Sequence, residues 1–525
     1  MQAPTASSND ASQQTPSDKV PVSQKLGYGL GTFIDMWGHW LYPNIAFLVF
    51  GMYLNVPSWL IGVAVILNRV IDAVSDPVFG WLSDNTRSRW GRRRPYMLAG
   101  AILAGVGLPL LVAVPPGWGS FHLFGLEVPY YFLFMIGSSA IYLPIVSCFN
   151  MPWLSLGNEL TPDYHERTSV FSYKYAVQKI PEVGLFFAGQ FFTLTLWEGA
   201  THQNVLERLP QVPLAVFTRL KQLLFTLPSE WSNLAEGKPN ILIGGLVFCS
   251  IAGVGIIIAG LSCVALVRER YYSKLVVAGK QERISIKETL WQTLQCKPFQ
   301  AQVLMNLAYN LGTSMVGTLG YSATMYYVCR GRVSEGNGWN FLMGLAGLVF
   351  GLAGIRMFGF IARRLGKNAT MIIVFSAAML IFVSTWWLYD PNYRWMQLLA
   401  CGFIAFTGAG FWMLFYSLLA DVVDYDELQT GRRREGSFSA CVSWISKVGM
   451  ALGAGCSFFI LQWVGFDPKL EGNQTAHTLF MIRVLLAAIP VCGMVVALFA
   501  LSRYPLTQAK MAEIRQQLEA RRGKV

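Results

Sequence analysis

The chain is built around long apolar runs, and about 20 mainly apolar residues are what it takes to cross the hydrocarbon core of a bilayer. Twelve candidates lie near 27–53, 58–83, 96–114, 128–155, 170–196, 240–267, 298–328, 340–362, 369–389, 394–420, 438–465 and 477–502. In lipid each backbone polar group must find its partner inside the segment, so such runs fold as helices. The expected fold class is an all-α membrane protein with 12 transmembrane helices. Composition agrees: 13% of the 525 residues are charged, about half the share in an ordinary soluble protein.

The net charge of +12 sits mainly in short loops between the apolar runs. That placement sets orientation across a membrane and argues against nucleic acid as a partner. The 84–95 loop carries Arg87, Arg89, Arg92, Arg93 and Arg94, and further basic residues mark 268–297, 363–367, 421–436 and the end of the chain. The 115–127 stretch has no Lys or Arg. Basic loops stay inside, so both termini and the central loop are expected on the cytoplasmic side. Residues 1–24 are polar and lack an apolar core, which reads as a disordered cytoplasmic tail rather than a cleaved signal peptide. Most of the nine cysteines, among them Cys249, Cys263, Cys401, Cys456 and Cys492, fall in apolar runs without metal-ligand spacing and read as small packing residues.

The runs divide six and six about the basic loop 268–297. The expected units are an N-terminal six-helix bundle over 25–267, a C-terminal bundle over 298–502 and a cytoplasmic tail over 503–525. Two echoes suggest a duplication. GWLSDNTRSRWGRRRPYM (80–97) matches GFIARRLGKNATM (359–371) in place, and ELTPDYHERTSVFS (159–172) matches DVVDYDELQTGRRREGSFS (421–439). The 198–239 segment is a long periplasmic insertion with apolar residues at roughly helical spacing. It reads as a structural insertion, an interfacial helix or a lid.

Charge inside an apolar run demands a reason. Asp72 and Asp76 are four apart on the second run and share one helix face, with Arg69 near it. An aspartate at the centre of a spanning helix costs about 2.5–3.5 kcal/mol on insertion scales. A bound cation offsets both carboxylates, a shared proton does similar work, and a salt bridge from Arg69 is the structural alternative. Lys179 and Glu182, three apart, neutralise each other. No GxxxxGK[ST] phosphate loop is present, and the mid-run charges do not form an acid/base pair at an interface, so no enzyme is expected.

The pattern Asp72-x-x-x-Asp76-Pro77-x-x-Gly80 followed by GRRRP resembles the glycoside–pentoside–hexuronide:cation symporters, a branch of the major facilitator superfamily that includes melibiose permease. YGLG (28–31), NMPWLSLGNELTPDYHERTSVFSYK (150–174) and ADVVDYDELQTGRRREGSFSACVSWISKVG (420–449) agree with it. The resemblance implies two pseudo-symmetric six-helix bundles and alternating access. It makes Asp72 and Asp76 the cation-coupling carboxylates, the metal ligands if the ion is Na⁺, with Ser75 and Ser147 supplying neutral oxygens. It points to Asp35, His39, Trp40, Asn150, Trp153 and Lys174 for the substrate. Here the chain departs from relatives: Asn150 stands where they have a sugar-binding aspartate, and Lys174 where they have arginine. Arg69 and Lys447 are implied in coupling, and Arg92, Asp84, Glu159 and Asp163 in a cytoplasmic gate. The expected activity is symport of a sugar, glycoside or sugar acid with Na⁺ or H⁺, with no cofactor beyond that ion. Some relatives carry lysolipids, which is the alternative. The resemblance further implies a functional monomer in a bacterial inner membrane.

Overall fold

The computed structural model describes residues 19–86, 88, 90–123, 126–160, 164–225, 239–267, 293–430, 435–470 and 472–522. The expected tail through residue 18 and most of the central loop lie outside the described residues. Helical run α1 covers 22–53 and alternates ordinary turns with two wide π-wound stretches, Ile34–Leu41 and Phe47–Tyr53. It is followed by α2 (Ser58–Asn85), α3 (Arg94–Gly107), α4 (Tyr130–Glu159), α5 (Tyr164–Phe192) and α6 (Ile241–Leu266). The second half holds α7 (Lys297–Ser322, with a π-wound end Ala323–Val328), α8 (Val333–Leu365), α9 (Lys367–Leu388), α10 (Met396–Thr430), α11 (Glu435–Trp463) and α12 (Ala476–Ser502). A last helix, α13 (Gln508–Arg522), buries Met511, Ile514 and Leu518 and packs on α10, so the segment expected as a tail is largely a docked helix.

Among the described residues, nine helices are long and apolar enough to cross a membrane: α2, α3, α4, α6 and α8 to α12. The other three long runs dilute their apolar residues. Wide turns divide α1, α5 carries Lys174, Lys179 and Glu182, and α7 carries Gln302, Asn306 and Asn310. Helix ends differ from the sequence expectation mainly where polar turns extend a helix beyond its apolar run: α8 begins at Val333 rather than near 340, and α10 runs on to Thr430.

The two halves pack alike. In the first, α1 lies against α5 and α6, α2 against α4, and α3 against α4 and α6. In the second, α7 lies against α11 and α12, α8 against α10, and α9 against α10 and α12. Adding six to each label converts one set into the other. The halves meet through α2 on α11 and α5 on α8, a pair of contacts that the same operation exchanges.

That seam is tight at the end of the bundle carrying the paired hairpin strands Ser120–Leu123 and Leu126–Pro129 and the described part of the insertion, 198–225. Phe47 of α1 meets Phe458 and Phe466 at ring separations of 5.5 and 5.9 Å, and Phe187 of α5 meets Phe341 of α8 at 5.4 Å. Gly62 of α2 crosses Gly455 of α11 so closely that a Cβ on Gly62 would stand 2.7 Å from the Gly455 carbonyl oxygen. One hydrophobic core therefore runs from the first half into the hairpin-end portions of α7, α8, α11 and α12. The opposite ends of the second-half helices form a separate core with α13. Among the described residues, every ring contact between halves lies at the hairpin end. These side chains and the Gly62–Gly455 crossing seal the halves together at that end.

Candidate cation and substrate site

The deepest charges lie where α2, α4 and α11 converge below that seal. Asp72 and Asp76 stand one turn apart on α2, and the α2–α4 contact sets Ser147 opposite them. Ser147 donates to Asp76 Oδ1 at 2.8 Å and lies 3.0 Å from the hydroxyl of Ser75, which donates back to the Asp72 carbonyl at 3.2 Å. Asp72 is 0% exposed. Its Oδ2 faces Arg69 at 3.4 Å and Lys447 at 3.7 Å. Lys447, projecting from α11 of the other half, also hydrogen-bonds Asp76. Two carboxylates, two hydroxyls and two cationic side chains thus share one buried region. An oxygen-rich group of this kind suits a hard monovalent cation or a proton, and His39, Asp72 and Asp76 lie within 4.8 Å of one another by their ligand atoms.

The expected substrate residues begin at the same place and continue through α1 and α4 to α5. The wide turn Ile34–Leu41 puts Asp35 and His39 on the face of α1 that meets α4. Asn150 of α4 donates to Asp35 Oδ1 at 3.0 Å and contacts His39 Nδ1 at 2.7 Å. His39 Nε2 lies 3.1 Å from Asp72 Oδ1. Asn150 and His39 are buried, whereas Asp35 keeps 24% of its side chain exposed. Lys174 of α5 sits with its ammonium 4.7 Å from the Trp153 ring centre and 5.4 Å from that of Tyr175.

The two tryptophans hold other side chains. Trp153 is fully buried, donates to the Tyr28 carbonyl at 2.9 Å and forms the floor beneath Lys174. Trp40 carries the Arg69 guanidinium over its ring at 4.7 Å. Both contacts fix a cation by its attraction to an aromatic face.

The candidate gate residues are less fully described. Asp163 lies outside the described residues, as do the side chains of Asp84 and Glu159, while Arg92 is buried at the start of α3. Lys179 and Glu182 pair at 2.7 Å.

Two features escaped the sequence reading. Behind Lys447, the neighbouring Ser446 accepts from Asn306 of α7 at 2.9 Å, and Asn310 caps the same group. Paired asparagines one turn apart in an apolar helix were the signal. The insertion also reaches across the seam: its helix Val212–Phe225 buries Val212, Arg219 and Leu223, and Arg219 donates to Ser334 at the start of α8. Burial pushes the Arg219 guanidinium down to about 10.

Comparison with known proteins decides the family. A family model described as MFS/sugar transport protein matches residues 24–508. The chain belongs to this family, the glycoside–pentoside–hexuronide branch of the major facilitators. An uncharacterized symporter of Synechocystis is 26% identical across 97% of this chain and 99% of its own length. A glucuronide carrier protein homolog of Escherichia coli is 25% identical, covering 95% of each chain. Among solved structures, the E. coli xylose transporter XylE in a partially occluded inward-open conformation superposes with a TM-score of 0.57 at 13% identity, over 93% of this chain and 98% of that one. The protein is a transporter of the bacterial inner membrane, not an enzyme, and works by cation-coupled symport.

Proposed function

We propose that this family member spans the membrane twelve times with both termini cytoplasmic, and that it carries a glycoside or sugar acid inward with one Na⁺ or H⁺. The carbohydrate binds between the halves at Asp35, Asn150 and Lys174, and the cation binds at Asp72 and Asp76 with Ser75 and Ser147. The observation that carries the reading is Lys447: a side chain of the second half bonded to the paired carboxylates of the first. Lys447 and the coupling ion compete for the same oxygens, so ion binding breaks a contact between halves and frees them to rock. The hairpin end is the outer side, and the sealed seam makes this conformation inward-facing. Each charge moved contributes about 2.3 kcal/mol per 100 mV, enough for a gradient of roughly 40-fold.

The polar lining from Asp35 to Lys174 offers hydroxyl partners rather than a surface for an acyl chain, which favours sugar over lysolipid. Uptake of labelled glycosides, pentosides and uronic acids into proteoliposomes tests the reading, each with a Na⁺ gradient, a pH gradient or neither. Accumulation driven by one gradient and abolished in Asp76→Asn is expected. Uptake indifferent to both gradients and to Asp76→Asn would overturn it.

A further inference from the structure

His39 sits between the two binding regions and touches both. Its Nε2 meets Asp72 Oδ1 at 3.1 Å and its Nδ1 meets Asn150 Nδ2 at 2.7 Å. With the imidazole neutral, the second contact fits one tautomer. The same Asn150 amide group donates to Asp35 Oδ1 at 3.0 Å, so the Asn150 oxygen must point away from that carboxylate. An Asn150 Nδ2 that gives one hydrogen to Asp35 and the other to His39 leaves Nδ1 as acceptor and Nε2–H as the donor to Asp72. The imidazole is therefore a two-ended bridge, from Asp35, which keeps 24% of its side chain exposed, to the wholly buried Asp72.

The backbone builds this bridge deliberately. His39 lies in the π-wound stretch Ile34–Leu41, and wide turns of this kind are rare and concentrate at functional sites. Gly38, immediately before it, lets α1 approach Val146 of α4, where a Cβ would stand 2.8 Å from a Val146 methyl. The close approach places His39 within reach of Asn150, one turn further along α4.

We infer that His39 is the positioning residue through which the cation site and the sugar site sense each other, rather than a direct sugar contact. This rests on the symport reading above. A cation shared by Asp72 and Asp76 takes carboxylate oxygens as ligands, and Asp72 Oδ1 is the oxygen His39 holds. When Oδ1 turns to the ion, the imidazole must shift in a close-packed interior, and Asn150 follows because its amide is bonded to Nδ1. Asn150 in turn orients Asp35. A sugar that fixes Asp35 and Asn150 holds His39 in the matching position and so favours the ion. The effect is reciprocal by thermodynamic necessity.

Two variants cut the bridge at one end each. In His39→Gln the amide nitrogen reaches about where Nε2 stands and keeps the donor to Asp72, but the Nδ1 acceptor is lost. In His39→Asn the amide reaches about where Nδ1 stands and keeps the Asn150 contact, but nothing reaches Asp72. The measurement is binding of 4-nitrophenyl β-D-xyloside, α-D-galactoside and β-D-glucuronide to the full-length protein in liposomes, with and without 100 mM Na⁺, and at pH 5.5 against pH 7.5. For wild type, the coupling ion should tighten the bound glycoside about ten-fold, within the range usual for linked sites. Both variants should bind glycoside with that enhancement reduced to less than about two-fold, and each should still bind the ion when tested alone. Retention of the full enhancement in either variant would overturn the inference. Glycoside binding by wild type that ignores both Na⁺ and pH would instead remove the symport reading, leaving His39 nothing to couple.

Discussion

The two halves of this molecule share one packing scheme and almost none of its chemistry. In the first, α2 carries Asp72 and Asp76 and α1 carries Asp35 and His39. The helices that correspond in packing are α8 and α7, and their buried middles offer glycines and amides instead. Among the described residues, what the second half brings to the candidate cation site is Lys447, steadied by Ser446 and Asn306. Repetition supplies a scaffold that can rock about a seam, and asymmetry supplies the work. A carboxylate pair in both halves would give each half its own ion and no reason to exchange partners across the seam.

The strongest way to break this comparison is to remove the chemistry of the first half. Asp76→Asn should lower gradient-driven accumulation by 100-fold or more, on the order expected from unpairing a buried charged partner, as read by proteoliposome uptake at matched expression. Lys447→Ala removes the second half's contact with the paired carboxylates and should reduce coupled uptake roughly 10- to 100-fold, while exchange of sugar across equal ion concentrations suffers less. Full coupled uptake in Lys447→Ala would show that the seam contact is incidental.

Intermediate effects would sharpen it. Ser147→Ala takes one hydroxyl from Asp76 and should weaken the apparent ion affinity about ten-fold, since a lost hydrogen bond to a charged group is worth about 1.5–3 kcal/mol. The midpoint of Na⁺ activation is the readout, and an unchanged midpoint would point to the proton as the coupling ion. At the seam, Gly62→Val places a side chain against the Gly455 carbonyl and should hold the hairpin end open. Maleimide labelling of a cysteine introduced at Ser457 should rise several-fold, as a gap that costs about 1 kcal/mol to keep closed shifts populations by that much.

The smallest effect is expected at the insertion. Arg219→Ala loses the bond to Ser334 and should raise the same labelling only about two- to three-fold, as one hydrogen bond is worth about 0.5–1.5 kcal/mol. The guanidinium, held down to about 10 by burial, is charged at neutral pH against that cost. Its folded-state value lies below the unfolded one, so this group's penalty is present at neutral pH and fades only as pH rises through about 10.

Much of the architecture was legible in the chain because lipid leaves the backbone few options. Apolar runs of spanning length mark their helices. The apolar reading was weakest for α1, α5 and α7, which carry Asp35 and His39, Lys174, and the asparagines behind Lys447, for the physical reason that polar side chains and hydrophobicity compete for the same positions. Asp72 and Asp76 stood out as charges where charge is costly. Ser75, Ser147 and Asn150 stood out only through family likeness, because small polar residues are ordinary in packed membrane helices.

What the sequence by itself determined was the class of solvent, the helical content and the paired carboxylates, all of which follow from local transfer energies. Only the tertiary structure decided that Lys447 reaches those carboxylates from 371 residues away, that Trp40 and Trp153 support Arg69 and Lys174, and that His39 touches both Asp72 and Asn150. Those outcomes depend on which helix faces meet across the bundle. A side chain's partner in a helical membrane protein is set by packing between segments distant in the chain, and no spacing within one segment encodes it.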